Sequence, residues 1–191
     1  MQLRSNSTLD YSFDRDDDGS CIHMEDFAQV FGVYPNQKYE NASFDRIGYV
    51  LLSEAGEADF LEFIKRLVFT VAIGNGDMHL KNWSLIYADT HHPRLSPAYD
   101  FVPTILYLQN DDLGLRLGSE RSFRAITEKN FSVLAAKALA SERLVLKMVR
   151  NTIEQVRQAW QELQADLPLT AEIKKALDKH MSELSLFLVT R

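Results

Sequence analysis

The stretch GNGDMHLKNWSLIYADTHHPRLSPAYDF, Gly74 to Phe101, decides the reading of this 191-residue chain. Gly74 closes an apolar run, and a polar loop, NGDMHLKN, follows. WSLIY then reads as a short β run, ADTHHPR as a hairpin turn and LSPAYDF as the returning strand. Three polar positions punctuate the stretch: Asp77 at the loop crest, Asn82 at the start of one arm, and Asp100 at the end of the other. A hairpin brings its arms together, so Asn82 and Asp100 are expected side by side. An amide oxygen beside a carboxylate oxygen is a fitting Mg²⁺ clamp, because magnesium takes few protein oxygens and completes its shell with water and substrate phosphates. Asp77 directs its carboxylate into the same cleft.

This is the layout of a phosphoryl-transfer site. Kinase catalytic loops place a base Asp and a metal Asn in D-x-x-x-x-N, and a second Asp follows in a D-F-G turn. Here the elements are Asp77-Met-His-Leu-Lys-Asn82 and Asp100-Phe101-Val102. Asp77 would accept the proton of an attacking hydroxyl, and the rest of the catalysis would be positioning and electrostatics. Each piece alone is ordinary: an Asp in an N-G-D run is usually turn chemistry, and a lone Asp after a strand is usually a cap. The combination is specific, because it adds a buried helix before the loop, a hairpin within it, and His79 in its interior.

Outward from this stretch the chain is mainly helical. Leu61, Ile64, Val68 and Val71 recur at helical spacing, which predicts a central helix from Ala58 to Ile73. Upstream, MEDFAQVFG predicts a short helix with Phe27, Val30 and Phe31 on one face and Gly32 as its stop, and 33–48 reads as loop. Downstream, helices are expected from Glu128 to Ala140 and from Ser141 to about Asp166. Pro168 breaks the second, and Thr170 caps a last helix carrying Ile173, Leu177, Met181, Leu184 and Leu188. The fold class is therefore mainly α: a helical bundle with a small β-hairpin bearing the candidate residues.

Composition narrows the partners. Hydrophobic residues are 46% and charged residues 25%, a globular mixture, and the net charge of −6 disfavours direct nucleic-acid binding. One cysteine, Cys21, excludes an intramolecular disulfide and suits a reducing compartment. No apolar run reaches transmembrane length and the N-terminus lacks an apolar signal core, so a cytoplasmic protein without membrane contact is expected.

At these residues the chain resembles the HipA-like serine/threonine kinases, toxins of bacterial toxin–antitoxin pairs. That family carries N-x-D-x-H-x-K-N, here Asn75, Asp77, His79, Lys81 and Asn82, followed by L-x-P-x-Y-D, here Leu95, Pro97, Tyr99 and Asp100. SFDRDDDGSCIHMEDFAQVFG is similar to its R-F-D-R…H-x-E-D-F-x-Q-x-L-G stretch through Phe13, Asp14, Arg15, His23, Glu25, Asp26, Phe27, Gln29 and Gly32, and QKYE at 37–40 matches its K-Y-E. The resemblance covers 13–105, a catalytic segment, and 106–191 only as a helical C-terminal subdomain of a kinase-like C-terminal lobe. It implies Asp77 as catalytic base, Asn82 and Asp100 as Mg²⁺ ligands, and His79, Lys81 and Tyr99 near bound ATP. It also implies a protein serine as substrate, an aminoacyl-tRNA synthetase being the known kind, and a DNA-binding antitoxin as partner. The N-terminal ATP-binding lobe of such a kinase has no counterpart here, so the isolated chain is expected to be inactive without a complementing N-lobe chain.

Three rival readings stand beside it, one of them another phosphotransferase. A small-molecule phosphotransferase of the aminoglycoside type uses G-D-x-H-x-x-N, which Gly76, Asp77, His79 and Asn82 also fit. A non-catalytic binding module of a toxin–antitoxin complex would use the helical C-terminus. A calcium loop, D-x-[DN]-x-[DN]-G-x5-E, is matched by Asp14, Asp16, Asp18, Gly19 and Glu25. Against calcium, no helical stripe precedes Asp14, Cys21 stands where an aliphatic residue is usual, and no second loop occurs. His91 and His92 read as solvated turn residues.

Overall fold

The computed structural model describes residues 13–16, 18–34, 42–89, 91–108 and 111–188. The QKYE match and any strand before residue 13 lie outside the described residues. The central element is helix α3, Glu57–Ile73, one residue longer at its start than the apolar spacing predicts. Phe63, Ile64, Leu67, Val68 and Val71 are fully buried on it. Each such side chain contributes roughly 1.5–3 kcal/mol relative to an exposed one. Glu57 and Asp59 stand in its first turn, where the helix dipole favours negative charge. Gly74 ends it at φ 67°, a left-handed conformation that glycine adopts without a Cβ clash. The Gly74 N–H donates to Val71 O and the Asn75 N–H to Thr70 O, the paired bonds of a Schellman stop. That stop aims the following loop.

A three-stranded antiparallel sheet lies beside this helix. Strand β2, Ser84–Tyr87, is central, between β1, His23–Asp26, and β3, Arg94–Leu95. The register pairs His23 with Tyr87 and Asp26 with Ser84 on one edge, and Leu85 with Leu95 on the other. Two expectations are corrected here. The segment at Met24 begins in a strand, and helix α1, Phe27–Val30, starts only after Asp26. Asp26 accepts from the Gln29 N–H at 2.9 Å while its own N–H donates to Gln29 Oε1 at 2.8 Å, a capping box that fixes the start. The returning arm is also shorter than read. Only Arg94 and Leu95 pair as strand, and Ser96 N–H to Ser84 O is the last rung. Pro97 has no N–H to donate, and Asp100 turns to φ 57°, so the ladder cannot continue.

The 33–48 loop reading is likewise corrected at its end. Helix α2 spans Phe44–Val50, capped by Ser43, and widens into a π turn at Leu51–Ala55 before Gly56 leads into α3. Phe44 and Ile47 bury its inner face, and Leu51 is buried at the start of the π turn. The C-terminal helices are α4, Glu128–Ala138, α5, Glu142–Leu163, α6, Ala171–Glu183, and α7, Ser185–Leu188. α4 packs on α2 and α5 on α3, so their buried residues join one core with those of the central stretch. Val145, Val149 and Ile153 of the α5 stripe are buried, whereas Leu163 is 53% exposed, because the helix outruns the core. Trp83, just before β2, sits edge-on to Phe63 at 4.8 Å and to Phe44 at 6.1 Å, joining sheet, α2 and α3.

The calcium-like stretch holds a tight turn, with the Gly19 N–H on Asp16 O at 2.8 Å, and then enters β1. Arg15 bridges Cys21, Gly19 lies at φ 85°, and Asp18 accepts from Ser20. Glu25, which would have been the bidentate ligand, instead accepts from Tyr87 OH at 2.9 Å across β1 and β2. Burial and that carboxylate push the Tyr87 phenol up to about 12. Among the described residues no group of three or more His, Cys, Asp and Glu could hold a metal ion. None of the described helices is long and apolar enough to cross a membrane.

Candidate functional site

The loop after α3 is a chain of peptide and amide contacts. Asn75 is fully buried. Its Oδ1 accepts from the Asp77 N–H at 3.1 Å, and its Nδ2 donates to Asp100 O at 3.2 Å. Asn82, 7% exposed, donates from Nδ2 to Asp77 O at 3.0 Å. The 77–82 loop therefore folds back on itself as a short 3₁₀ turn, Leu80–Asn82, with Met78 and Leu80 buried beneath it. Thr104 closes the other side: its hydroxyl accepts from the Gly76 N–H at 2.7 Å and contacts Asp111.

The predicted trio is thus held in one network. Asp77 is half exposed, its carboxylate at 3.9 Å from His79 Nε2. His79 itself is buried. The Asn82 amide is oriented by the donation from Nδ2, so that Oδ1 remains as the acceptor end. Neither that Oδ1 nor the Asp100 carboxylate has a hydrogen-bond partner among the described residues. Asp100 is exposed and in the left-handed region, an uncommon conformation for a residue with a Cβ.

The segment that delivers Asp100 is clipped to α3 and to the loop. Asp59 receives Arg94 Nε at 2.6 Å and the Leu95 N–H at 3.1 Å. Arg66 donates to Ser96 O at 2.6 Å. Tyr99 OH donates to Lys81 O at 2.7 Å and meets Ser84 Oγ at 2.6 Å, so Ser84 is the donor of that second contact. Burial pushes the Tyr99 phenol above its usual value, with Asp26 and Asp100 adding to it against the Ser84 hydrogen bond, and it remains a donor. Lys81 is exposed beside it. Asn75, Arg66 and Asp59 were not marked as site residues by the sequence, although Asn75 opens the N-x-D-x-H-x-K-N run.

Beside Asp77 lies an open cleft of about 510 Å³, bounded by Gly76, Asp77, Thr104, Asp111, Asp112 and Arg121 among others. A carboxylate on its wall gives a hydroxyl-bearing molecule room to approach a base. The oxygens of Asn82, Asp100 and Asp77 are hard donors, and two of the three groups face solvent, which fits Mg²⁺ with its retained waters better than Zn²⁺.

Comparison with known proteins gives a consistent result. The model of the HipA-like C-terminal domain matches residues 11–160. A Sinorhizobium fredii protein named "Putative kinase Y4dM" is 46% identical over 176 residues, 92% of this chain and 43% of that protein. A second from the same organism, named "Putative kinase Y4mE", is 29% identical over 153 residues, 76% of this chain and 36% of that one. This chain thus spans less than half the length of these curated relatives. A chain of the Shewanella oneidensis MR-1 toxin–antitoxin complex of HipA, HipB and operator DNA superposes with a TM-score of 0.70 at 18% identity, covering 90% of this chain and 46% of that one. At that identity the likeness establishes the fold, a kinase-like C-terminal lobe.

Proposed function

The chain belongs to the HipA-like C-terminal domain family, and from that premise we propose that it is the phosphoryl-transfer lobe of a serine/threonine kinase acting in a toxin–antitoxin system. The observation that carries the reading is the pair of uncommitted oxygen donors, Asn82 Oδ1 and the Asp100 carboxylate, locked by one hydrogen-bond network to the half-exposed Asp77. Asp77 is the base that orients and deprotonates the acceptor hydroxyl arriving in the adjoining cleft. Asn82 and Asp100 would hold Mg²⁺, which would supply charge neutralisation for the transferred phosphoryl group. His79, Lys81 and Tyr99 border the nucleotide's phosphate end: Lys81 as an exposed cation, Tyr99 by fixing the Lys81 peptide.

The acceptor is a protein serine, of which an aminoacyl-tRNA synthetase is one candidate bearer, and the partner is a DNA-binding antitoxin. The relatives' names as kinases support the reaction class, and the named components of the Shewanella complex support the partner class. ATP needs a phosphate cover and an adenine slot that the residues above do not supply. We propose that they come from an N-terminal lobe, in the same polypeptide or in a second chain.

The test joins this chain to the N-terminal part of the 46%-identical relative and measures phosphate transfer from Mg-ATP to serine-bearing proteins, with aminoglycosides as competing acceptors. Transfer to protein is expected only in the joined form. Asp77→Asn should lower the rate by roughly 10²–10⁴-fold, the usual contribution of general base catalysis. Equal rates for the joined protein and its Asp77→Asn variant would overturn the assignment.

A further inference from the structure

We infer that Asn75 is a positioning residue: its buried amide ties the loop bearing Asp77 and Asn82 to the segment bearing Asp100, and so sets the spacing of the proposed metal-binding oxygens. The inference rests on the phosphoryl-transfer reading of this site. Its first support is geometry. The same side chain accepts from the Asp77 N–H and donates to Asp100 O, at 3.1 and 3.2 Å. The partners fix which end is which, since a peptide N–H needs the amide oxygen and a peptide carbonyl needs the amide nitrogen. An amide offers an oxygen acceptor and an N–H donor on one rigid plane, and the full burial of Asn75 leaves little room for a longer side chain.

The second support is the relay that continues beyond Asp77. Asn75 holds Asp77 by its N–H, and the carbonyl of the same residue receives Asn82 Nδ2 at 3.0 Å. Base and both proposed ligands therefore lie on one line of contacts, Asn82 to Asp77 to Asn75 to Asp100. The third is backbone conformation. Asp100 stands at φ 57°, and the tether grips its own carbonyl, the group whose direction that turn sets. Asn75 is in turn fixed by its N–H on Thr70 O, at the end of α3. It touches no reacting atom, so its effect passes through Asp77 and Asp100.

The experiment titrates the 191-residue chain with Mn²⁺ as a probe for Mg²⁺, following free Mn²⁺ by electron paramagnetic resonance. Asp100→Asn tests the site itself, and Asn75→Ala and the similarly sized Asn75→Leu test the tether. Val149→Ala, a fully buried position on α5 away from the loop, supplies comparable destabilisation. The wild type is expected to bind Mn²⁺ competitively with Mg²⁺, and Asp100→Asn to lose it. Both Asn75 variants should bind about tenfold more weakly, with the Asp100 ¹³Cα and ¹³Cβ shifts leaving left-handed values, while Val149→Ala binds as wild type. Wild-type affinity in both Asn75 variants, with Asp100→Asn still defective, would overturn the inference and spare the site. An equal loss in Val149→Ala would also overturn it, by reducing the effect to general destabilisation. Failure of Asp100→Asn to change binding would overturn the site and the inference together.

Discussion

Replacing Asp59 by asparagine measures how firmly the Asp100 segment is tied to α3. One Asp59 oxygen receives Arg94 Nε at 2.6 Å and the Leu95 N–H at 3.1 Å, and the other receives Arg94 Nη2 at 3.0 Å. Asparagine keeps one acceptor and turns an NH₂ toward an arginine donor. A hydrogen bond to a charged group contributes about 1.5–3 kcal/mol when buried. The Arg94 side chain is 64% exposed, however, and exposed ion pairs contribute only about 0–1 kcal/mol. The expected loss lies between these, about 1–2 kcal/mol at pH 7, or a fall in Tm of roughly 2–8 °C for a chain of this size.

Its pH dependence has a definite sign. Burial alone would raise the Asp59 carboxyl, but the Arg94 hydrogen bond, the Leu95 N–H and the charges of Arg94 and Arg66 together hold it below the usual range. A depressed carboxylate stabilises the fold above its unfolded value, near 3.9, and loses that contribution as pH falls through the folded value. Urea unfolding of both proteins at pH 7 and pH 3 is the assay. The gap between them should narrow at pH 3, and the Ser96 amide should exchange faster in Asp59→Asn at pH 7. A gap that is constant with pH, or under about 0.5 kcal/mol at pH 7, would refute the reasoning.

Three further outcomes follow from local geometry. His180 on α6 donates Nε2–H to Val71 O at 2.9 Å, with Phe123 edge-on and Arg124 and Glu183 nearby. Burial holds its imidazole below the ordinary value, the Val71 contact and Glu183 opposing and Arg124 assisting. The unfolded chain then binds more protons, so wild-type stability should fall as pH drops below about 6.5, and His180→Gln should be flatter between pH 7 and 5 in thermal melts. Leu139 ends α4 at φ 60° and is 80% exposed, so Leu139→Gly should stabilise by about 1 kcal/mol, read as a Tm rise of roughly 2–4 °C. Gly74→Ala would force a side chain into the left-handed region and set its Cβ 2.7 Å from Ile105, costing about 2–4 kcal/mol in chemical denaturation.

Long apolar stripes made α3 to α6 legible, because burial on one helix face writes itself into the spacing. The loop spacing from Asp77 to Asn82 was legible for the same local reason. β1 was not, since His23-Met24-Glu25-Asp26 shows no alternation and owes its extension to pairing with Ser84–Tyr87. α2 carried a usable signal, a Ser43 cap before Phe44, Ile47 and Leu51, which the polar sequence around it obscured. The returning arm was read too long because LSPAYDF is held by side chains from elsewhere, Arg66 and Asn75 among them, and such ties leave no periodic trace. Asn75 was legible as the first residue of the N-x-D-x-H-x-K-N run, but its tether was not, because the contact that makes it is to Asp100, 25 positions away.

Helix α3 also has a property of length. It grips the 94–100 segment at successive heights: Asp59 at Arg94, Arg66 two turns later at Ser96, and Asn75 just past its end at Asp100. The helix is in effect a graduated rod, and the site is read off at its marks. The residues from Asp89 to Pro93 need only join two strands that are already located. Cutting the chain there and rejoining it elsewhere should leave the site assembled. One residue inserted between Arg66 and Gly74 would do the opposite, rotating the 75–82 loop by about 100° and advancing it about 1.5 Å, out of phase with the segment it must meet.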